Sequence, residues 1–128
     1  MNNIKILSDA EREIMEIVWC DGEVCVRDVL EKLQKKKKIA YTTVMTVMSR
    51  LHEKGVLARK MNGSGAFVYE SVSDKKTFIE KKSKKLIKSF LKEYGDVAVA
   101  QFLEVIESSD APQSEEWKDK LKKLVIAK

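Results

Sequence analysis

The hydrophobic pattern of the first 72 residues changes its period, and this change limits the folds that the chain can adopt. Apolar residues first recur at helical spacing in three successive segments, each followed by a turn signal or a charged linker. The predicted helices cover about residues 8–19, 26–34 and 41–54. Residues 56–60 and 66–71 are instead short runs rich in Val, Tyr and Phe on either side of an Asn62-Gly63 turn, which is typical of a β-hairpin. Three helices followed by a hairpin predict a winged helix-turn-helix.

Residues 73–128 carry three further apolar helices, which the sequence places at about 74–94, at 97–106 and from Ser114 onward. So few residues cannot bury such faces well alone, and they need the first domain or a second copy of the chain. We therefore predict a mostly α-helical chain with one small β-hairpin: a winged-helix domain (1–72) and a helical dimerisation domain (73–128). The apolar side chains expected at the dimer contact are Phe78, Leu86, Phe90, Leu91, Tyr94, Val99, Phe102, Leu103, Ile106, Trp117, Leu121 and Leu124.

Charge is distributed unevenly along the chain, whose net formal charge is +5. Residues 9–31 carry eight acids and two arginines, whereas residues 32–60 carry nine Lys or Arg and a single acid, Glu53. The second stretch flanks the third predicted helix and favours a polyanionic partner. A later run, with eight lysines and Glu80 between residues 75 and 92, is better explained as a solvated helix face.

The third predicted helix has a polar side suited to the DNA major groove. Thr43, Thr46 and Arg50 are spaced i, i+3 and i+7 and therefore share one face. Arginine pairs with guanine and a threonine methyl contacts thymine, while free N–H groups at the helix start suit a phosphate. Alternatively, these hydroxyls merely cap and solvate the helix. The candidate DNA contacts are Lys36, Lys38, Tyr41, Thr42, Thr43, Thr46, Ser49 and Arg50, with Arg59, Lys60, Asn62 and Ser64 in the wing.

Several segments resemble the penicillinase repressor (BlaI/MecI/CopY) family. They are residues 7–11, 17–19, 40–51, 53–57 and 67–69, and the stretch AYTTVMTVMSRL of the third helix is the most specific. The resemblance implies a homodimeric transcriptional repressor acting on a dyad-symmetric operator, in front of resistance or metal-homeostasis genes. It also implies that Thr42, Thr43, Thr46 and Arg50 contact bases and phosphates.

The sequence departs from this family pattern in four places. Ser64-Gly65 stands where the wing usually has a basic residue, and Cys25 stands where a serine or threonine usually precedes the second helix. The cysteine pairs of the copper-sensing branch are missing near the C-terminus, so copper sensing by that route is not expected. The β-lactam branch is cut by a membrane protease between Asn and Phe, and the matching pair here is Gln101 and Phe102. A regulatory membrane protease is therefore a further partner that the resemblance implies.

Other functional classes have less support in the sequence. Cys20 and Cys25 are explained as a small buried thiol and a helix-cap substitute, although a thiol- or metal-responsive regulator of the same fold is an alternative. A winged helix that binds protein instead of DNA is another, but it would need an apolar third helix. One histidine, no phosphate loop and no metal-ligand cluster argue against an enzyme, a cofactor or a metal site. Without a secretion signal or a membrane-spanning stretch, we expect the chain in the cytoplasm.

Overall fold

A computed structural model of the chain describes residues 5–126, with side chains described for residues 5–123. The chain forms two compact units, one ending at Lys82 and the other beginning at Ser83. The functional division that the sequence places after residue 72, at the end of the hairpin, stays a prediction.

The N-terminal unit contains the predicted winged helix-turn-helix. Its elements are α1 (Asp9–Asp21), α2 (Val26–Gln34), α3 (Tyr41–Glu53), β1 (Leu57–Met61) and β2 (Phe67–Ser71). The two strands pair antiparallel, with Leu57 opposite Ser71 and Met61 opposite Phe67. The predicted fold class is confirmed, and each predicted boundary in this unit lies within two residues of the observed one.

Local capping interactions explain where the helices of this unit begin and end. The Ser8 hydroxyl accepts a hydrogen bond from the Glu11 N–H, and the Glu11 carboxylate accepts one from the Ser8 N–H, so the predicted capping box is present. At the end of α3, Gly55 adopts a φ of 80°. The N–H groups of Gly55 and Val56 donate to the carbonyls of His52 and Leu51, a Schellman closure that favours glycine.

The core of the N-terminal unit lies between the three helices and the hairpin. Met15, Val29, Val44, Met48 and Leu51 are fully buried and come from all three helices. Tyr69 of β2 closes the core on the hairpin side and exchanges two backbone hydrogen bonds with Val24, which precedes α2. The extended piece predicted at Val24 therefore joins the hairpin edge, and it fixes the start of α2 against the wing.

One carboxylate, Glu11, is buried in this unit, with 7% of its surface exposed. Its Oε1 accepts from the Ser8 N–H at 2.9 Å, and its Oε2 accepts from Lys54 Nζ at 2.6 Å. Burial raises the pKa of Glu11, but the Lys54 ammonium and the Ser8 N–H outweigh it and hold the pKa below its ordinary value. This residue thus connects the start of α1 to the end of α3.

Phe78 belongs to the core of the N-terminal unit, and its assignment to the dimer contact was wrong. Its side chain is 7% exposed, and its ring centroid lies 5.6 Å from that of Trp19. The Trp19 indole N–H donates to the Ser73 carbonyl at 3.1 Å, which holds the chain just before α4 (Lys75–Ser108) against α1. The periodicity of α4 does not distinguish a residue that packs on this core from one that faces a partner.

The C-terminal unit contains the rest of α4 and α5 (Ser114–Ile126). Gly95 breaks the helical path of α4 with φ 51° and ψ −122°, which confirms the interruption predicted there. Large apolar side chains of this unit remain exposed in the single chain: Leu86, Ile87, Phe90, Leu91, Tyr94, Val97, Val99, Phe102, Leu103, Val105 and Trp117. Ile106 and Leu121 are half-buried, and the side chain of Leu124 lies outside the described residues.

Candidate nucleic-acid interface

Helix α3 separates a buried apolar side from an exposed polar side. Val44, Met48 and Leu51 are fully buried, which fixes the rotation of the helix about its axis. Thr42, Thr43, Thr46 and Arg50 are consequently exposed, while Ser49 is half-buried. The structure therefore brings the predicted α3 residues together on one surface, where side chains of an inserted helix reach base edges.

The N-terminal end of α3 lies beside a cationic loop. Ala40 occupies the cap position without a side-chain hydrogen bond, and the first turn contains no acid. The partial positive charge of the helix end is therefore not neutralised locally. Lys36 and Lys38 are exposed in the loop before α3 and form no ion pair within the described residues. Lys37, by contrast, pairs with Glu13 of α1.

The predicted wing residues are exposed or half-buried, but each already has an intramolecular contact. Arg59 lies over the Phe67 ring, with 4.1 Å from Cζ to the ring centroid, and Nη1 donates to the Tyr69 hydroxyl at 3.3 Å. Lys60 Nζ lies 3.1 Å from a Glu23 carboxylate oxygen, which raises the pKa of Lys60. These contacts hold both cations close to the hairpin surface.

Asn62 and Ser64 organise the turn of the wing. Oδ1 of Asn62 accepts hydrogen bonds from the N–H and hydroxyl of Ser64, at 2.9 and 2.8 Å, and from the Ala66 N–H at 3.1 Å. The Gly65 backbone has φ 87°, which favours glycine at this position. The side-chain oxygen of Asn62 is thus engaged in the turn, and only its side-chain NH₂ group is left to donate to a phosphate.

Two exposed residues beside this surface were missed in the sequence. Met45 is 40% exposed on α3 although it is apolar, and Arg27 of α2 lies over the ring of Tyr41. The exposure of Met45 was predictable from the sequence, because Met45 falls outside the i, i+3, i+4 positions that form the buried side of α3. The contact between Arg27 and Tyr41 joins two helices, and no pattern within either helix indicates it.

The two cysteines occupy different environments in the N-terminal unit. Cys20 is exposed near the end of α1, so the buried thiol expected there is wrong. Cys25 is half-buried at the cap position of α2, where its N–H donates to Asp28 at 3.0 Å. This hydrogen bond lowers the pKa of the Asp28 carboxyl. No group of three or more His, Cys, Asp or Glu in the described part of the chain is arranged to hold a metal ion. A thiol response stays a prediction.

Comparison with known proteins identifies the family. The sequence model of the penicillinase repressor family matches residues 7–124. The penicillinase repressor of Bacillus licheniformis is 32% identical over 104 residues, covering 81% of this chain and 80% of the relative. The methicillin resistance regulatory protein MecI of Staphylococcus aureus (strain N315) is 29% identical over 109 residues, covering 85% of each.

A solved structure also shares the fold. The crystal structure of a mutant MarR from E. coli matches 80% of this chain and 76% of its own, with a TM-score of 0.50 and 13% identity. Together, the fold and the exposed surface of α3 define a winged helix-turn-helix regulator. The chain belongs to the penicillinase repressor family, whose members are transcriptional repressors. None of the helices within residues 5–126 is both long and apolar enough to cross a lipid bilayer.

Proposed function

We propose that the chain is a sequence-specific DNA-binding transcriptional repressor that acts as a homodimer on a dyad-symmetric operator. The observation that carries the proposal is the exposed polar surface of α3, which presents Thr43, Thr46 and Arg50 along one side. Membership of the penicillinase repressor family gives independent support. The proposal includes no catalytic activity and no cofactor, and it places the protein with the DNA in the cytoplasm.

Different residues of this surface have different roles in the proposal. Arg50 carries most of the base discrimination, because a guanidinium can form two hydrogen bonds with one guanine. Thr43 and Thr46 contact thymine methyl groups and neighbouring base edges, and Ser49, being half-buried, contributes less. Tyr41 and Thr42 lie at the helix end, where a phosphate is favoured.

Lysines outside the helix supply contacts that do not depend on sequence. Lys36 and Lys38 form no ion pair within the described residues and lie in the loop before α3, so they release counterions when they meet phosphates. In the wing, Arg59, Lys60, Asn62 and Ser64 follow the DNA backbone or the minor groove. Because Lys60 is paired with Glu23, its net contribution is smaller than that of Lys36.

The exposed apolar side chains of the C-terminal unit support the proposed dimer. Phe90 is 55% exposed and Tyr94 is 58% exposed in the single chain, and their ring centroids lie 5.1 Å apart. Soluble proteins usually cover such contiguous apolar surface with a partner. Once one protomer of a dimer has bound its half of the operator, the other protomer is held close to the second half. This raises the affinity for the whole operator ~10²–10⁴-fold without new contacts.

Release of the operator is proposed to follow loss of this dimer. Gln101 and Phe102 are exposed within α4, so a regulatory membrane protease that cut between them would remove the apolar side chains from Phe102 onward. The N-terminal unit lies outside the removed segment and would keep its own core. The cut protein would therefore lose the affinity gained from dimerisation, while each winged-helix domain stayed folded.

The experiment that tests the DNA-binding proposal compares two substitutions on two DNA molecules. An operator is first selected from random duplexes with the purified full chain, and fluorescence anisotropy then measures affinity at several salt concentrations. Arg50→Ala should cost about 1–3 kcal/mol on the selected duplex and much less on random DNA. Lys36→Ala should weaken both to the same extent. Failure to select any duplex, or binding that ignores salt, would overturn the proposal.

A further inference from the structure

Arg27 of α2 is an exposed arginine that the proposed base and phosphate contacts do not use. It is the second residue of α2, and its Cζ lies 5.6 Å from the ring centroid of Tyr41, the first residue of α3. Its guanidinium forms no salt bridge with any side chain among residues 5–123. The contact therefore joins the N-terminal ends of the two helices of the helix-turn-helix.

The position of Arg27 is suited to the DNA backbone and not to the bases. When the second helix of this motif enters the major groove, the first crosses the phosphate backbone beside it. Arg27 is on that first helix, and Tyr41 places it beside the start of α3, next to the exposed Thr42 and Thr43. The nearest acid along the chain, Asp28, accepts a hydrogen bond from the Cys25 N–H.

The Tyr41 ring gives Arg27 an orientation that a free side chain would lack. A guanidinium over an aromatic face is attracted by the ring quadrupole and loses rotational freedom before the ligand arrives. Its N–H edges stay available and match the oxygens of a phosphate in a two-point hydrogen bond. Tyr41 then acts through its ring as a positioning residue, and its hydroxyl is not required.

We infer that Arg27, held on the ring of Tyr41, is a phosphate clamp through which α2 grips the operator backbone. The inference rests on the proposed DNA-binding function and adds a residue that the family resemblance does not supply. The ligand class is a phosphodiester of duplex DNA, and the clamp is independent of base sequence.

The first test replaces Arg27 by alanine in the full chain and measures binding to the selected duplex by anisotropy at salt concentrations from about 0.05 to about 0.5 M. One phosphate contact releases about 0.9 counterion, so the slope of log affinity against log salt should fall by about 0.9 per protomer. At about 0.15 M salt this corresponds to a loss of about five-fold per protomer. Random DNA should lose as much, because the clamp reads no base.

Arg12→Ala is the matched control. Arg12 is also an exposed helical arginine of the N-terminal unit, but it pairs with Asp9 on α1 and is not among the proposed DNA contacts. Its loss should leave the affinity and the salt slope at the wild-type values. Far-UV circular dichroism and thermal unfolding check that both variants fold.

The second test examines the ring with Tyr41→Leu and Tyr41→Phe. Leucine removes the platform but leaves the charge of Arg27, so it should reproduce only part of the Arg27→Ala loss of affinity. Phenylalanine keeps the platform and should lose less affinity than leucine, and because both variants lack the Tyr41 hydroxyl, the difference between them reports the ring alone. In the double variant with Arg27→Ala, the Tyr41→Leu loss should be smaller than in the wild-type background.

The outcomes separate this inference from the proposed function. If wild type binds its duplex with a steep salt dependence but Arg27→Ala matches it in affinity and slope, the clamp is wrong and the proposed function stands. If Arg27→Ala weakens only the selected duplex, Arg27 reads a base and the clamp is again wrong. If wild type binds no duplex, the proposed function has failed.

Discussion

Replacing Glu11 by glutamine tests how the start of α1 is connected to the end of the proposed recognition helix. Glutamine keeps an oxygen that can accept from the Ser8 N–H, so the capping box is retained. It loses the negative charge that faces Lys54 Nζ at 2.6 Å. The substitution therefore isolates the charge of the ion pair from the geometry of the cap.

The expected loss follows from the exposure of the two partners. The Glu11 side chain is 9% exposed, but that of Lys54 is 57% exposed, so solvent screens the pair from one side. We expect the free energy of unfolding to fall by about 1 kcal/mol for Glu11→Gln. Glu11→Ala also removes the carboxylate oxygen that accepts from the Ser8 N–H and should cost about 2 kcal/mol in total.

The effect should depend on pH with a defined sign. Because the folded state holds the pKa of Glu11 below the ordinary value of 4.5, the ion pair contributes fully above pH 4.5. Its contribution is lost as the pH falls through the lower folded pKa, where the carboxylate takes up a proton. The difference between wild type and Glu11→Gln should therefore shrink below pH 4.5.

Urea unfolding followed by Trp19 fluorescence, in a Trp117→Phe background and at one fixed protein concentration, measures these values for the N-terminal unit. Lys54→Met is the matched partner variant, and the double-mutant cycle should give a coupling of about 1 kcal/mol. A coupling near zero would refute a stabilising ion pair between Glu11 and Lys54. So would a difference in unfolding free energy between wild type and Glu11→Gln that stays constant from about pH 3 to about pH 7.

Two further predictions concern residues of helix α4. Phe78→Ala should destabilise the N-terminal unit by about 3 kcal/mol in the same urea assay, because it empties a core position, whereas Phe90→Ala should leave that unit unchanged and weaken self-association in sedimentation equilibrium. A chain ending at Gln101 should be folded, largely monomeric at low micromolar concentration, and weak in binding the operator in gel shifts. If it dimerised and bound the operator as tightly as the whole chain, loss of the dimer could not be the release step. A signal at Cys20 and Cys25 would then become the leading alternative.

The features that the sequence predicted well depend on interactions between residues close in the chain. The Ser8–Glu11 capping box, the stop at Gly55 and the break at Gly95 each arise from backbone geometry within a few residues. The buried side of α3 was also predictable, since its apolar residues recur at i, i+3, i+4 and i+7. Once that side is buried, the exposure of Thr43 and Arg50 follows without further information.

The features that could not be predicted depend on contacts between distant residues. Glu11 and Lys54 are 43 positions apart, and Trp19 and Ser73 are 54 apart. These residues meet only because the fold brings distant segments together, and hydrophobic periodicity does not indicate which segments will be neighbours. Phe78 was misassigned for the same reason, since an apolar position on α4 can face either a core or a partner.

The charge of residues 32–60 shows how the fold changes a quantity counted in the sequence. Four of the nine cations in this stretch pair with acids before α2: Lys32 with Asp21, Lys37 with Glu13, Lys54 with Glu11, and Lys60 with Glu23. The other five form no ion pair within the described residues, which sets about 4–5 as the upper range of counterions that this stretch releases per protomer. A phosphate that displaced one of these acids would leave a carboxylate facing the DNA. The acids before α2 would therefore lower affinity for any duplex equally, and in the proposed complex the discrimination between sequences is left to Arg50 and its neighbours on α3.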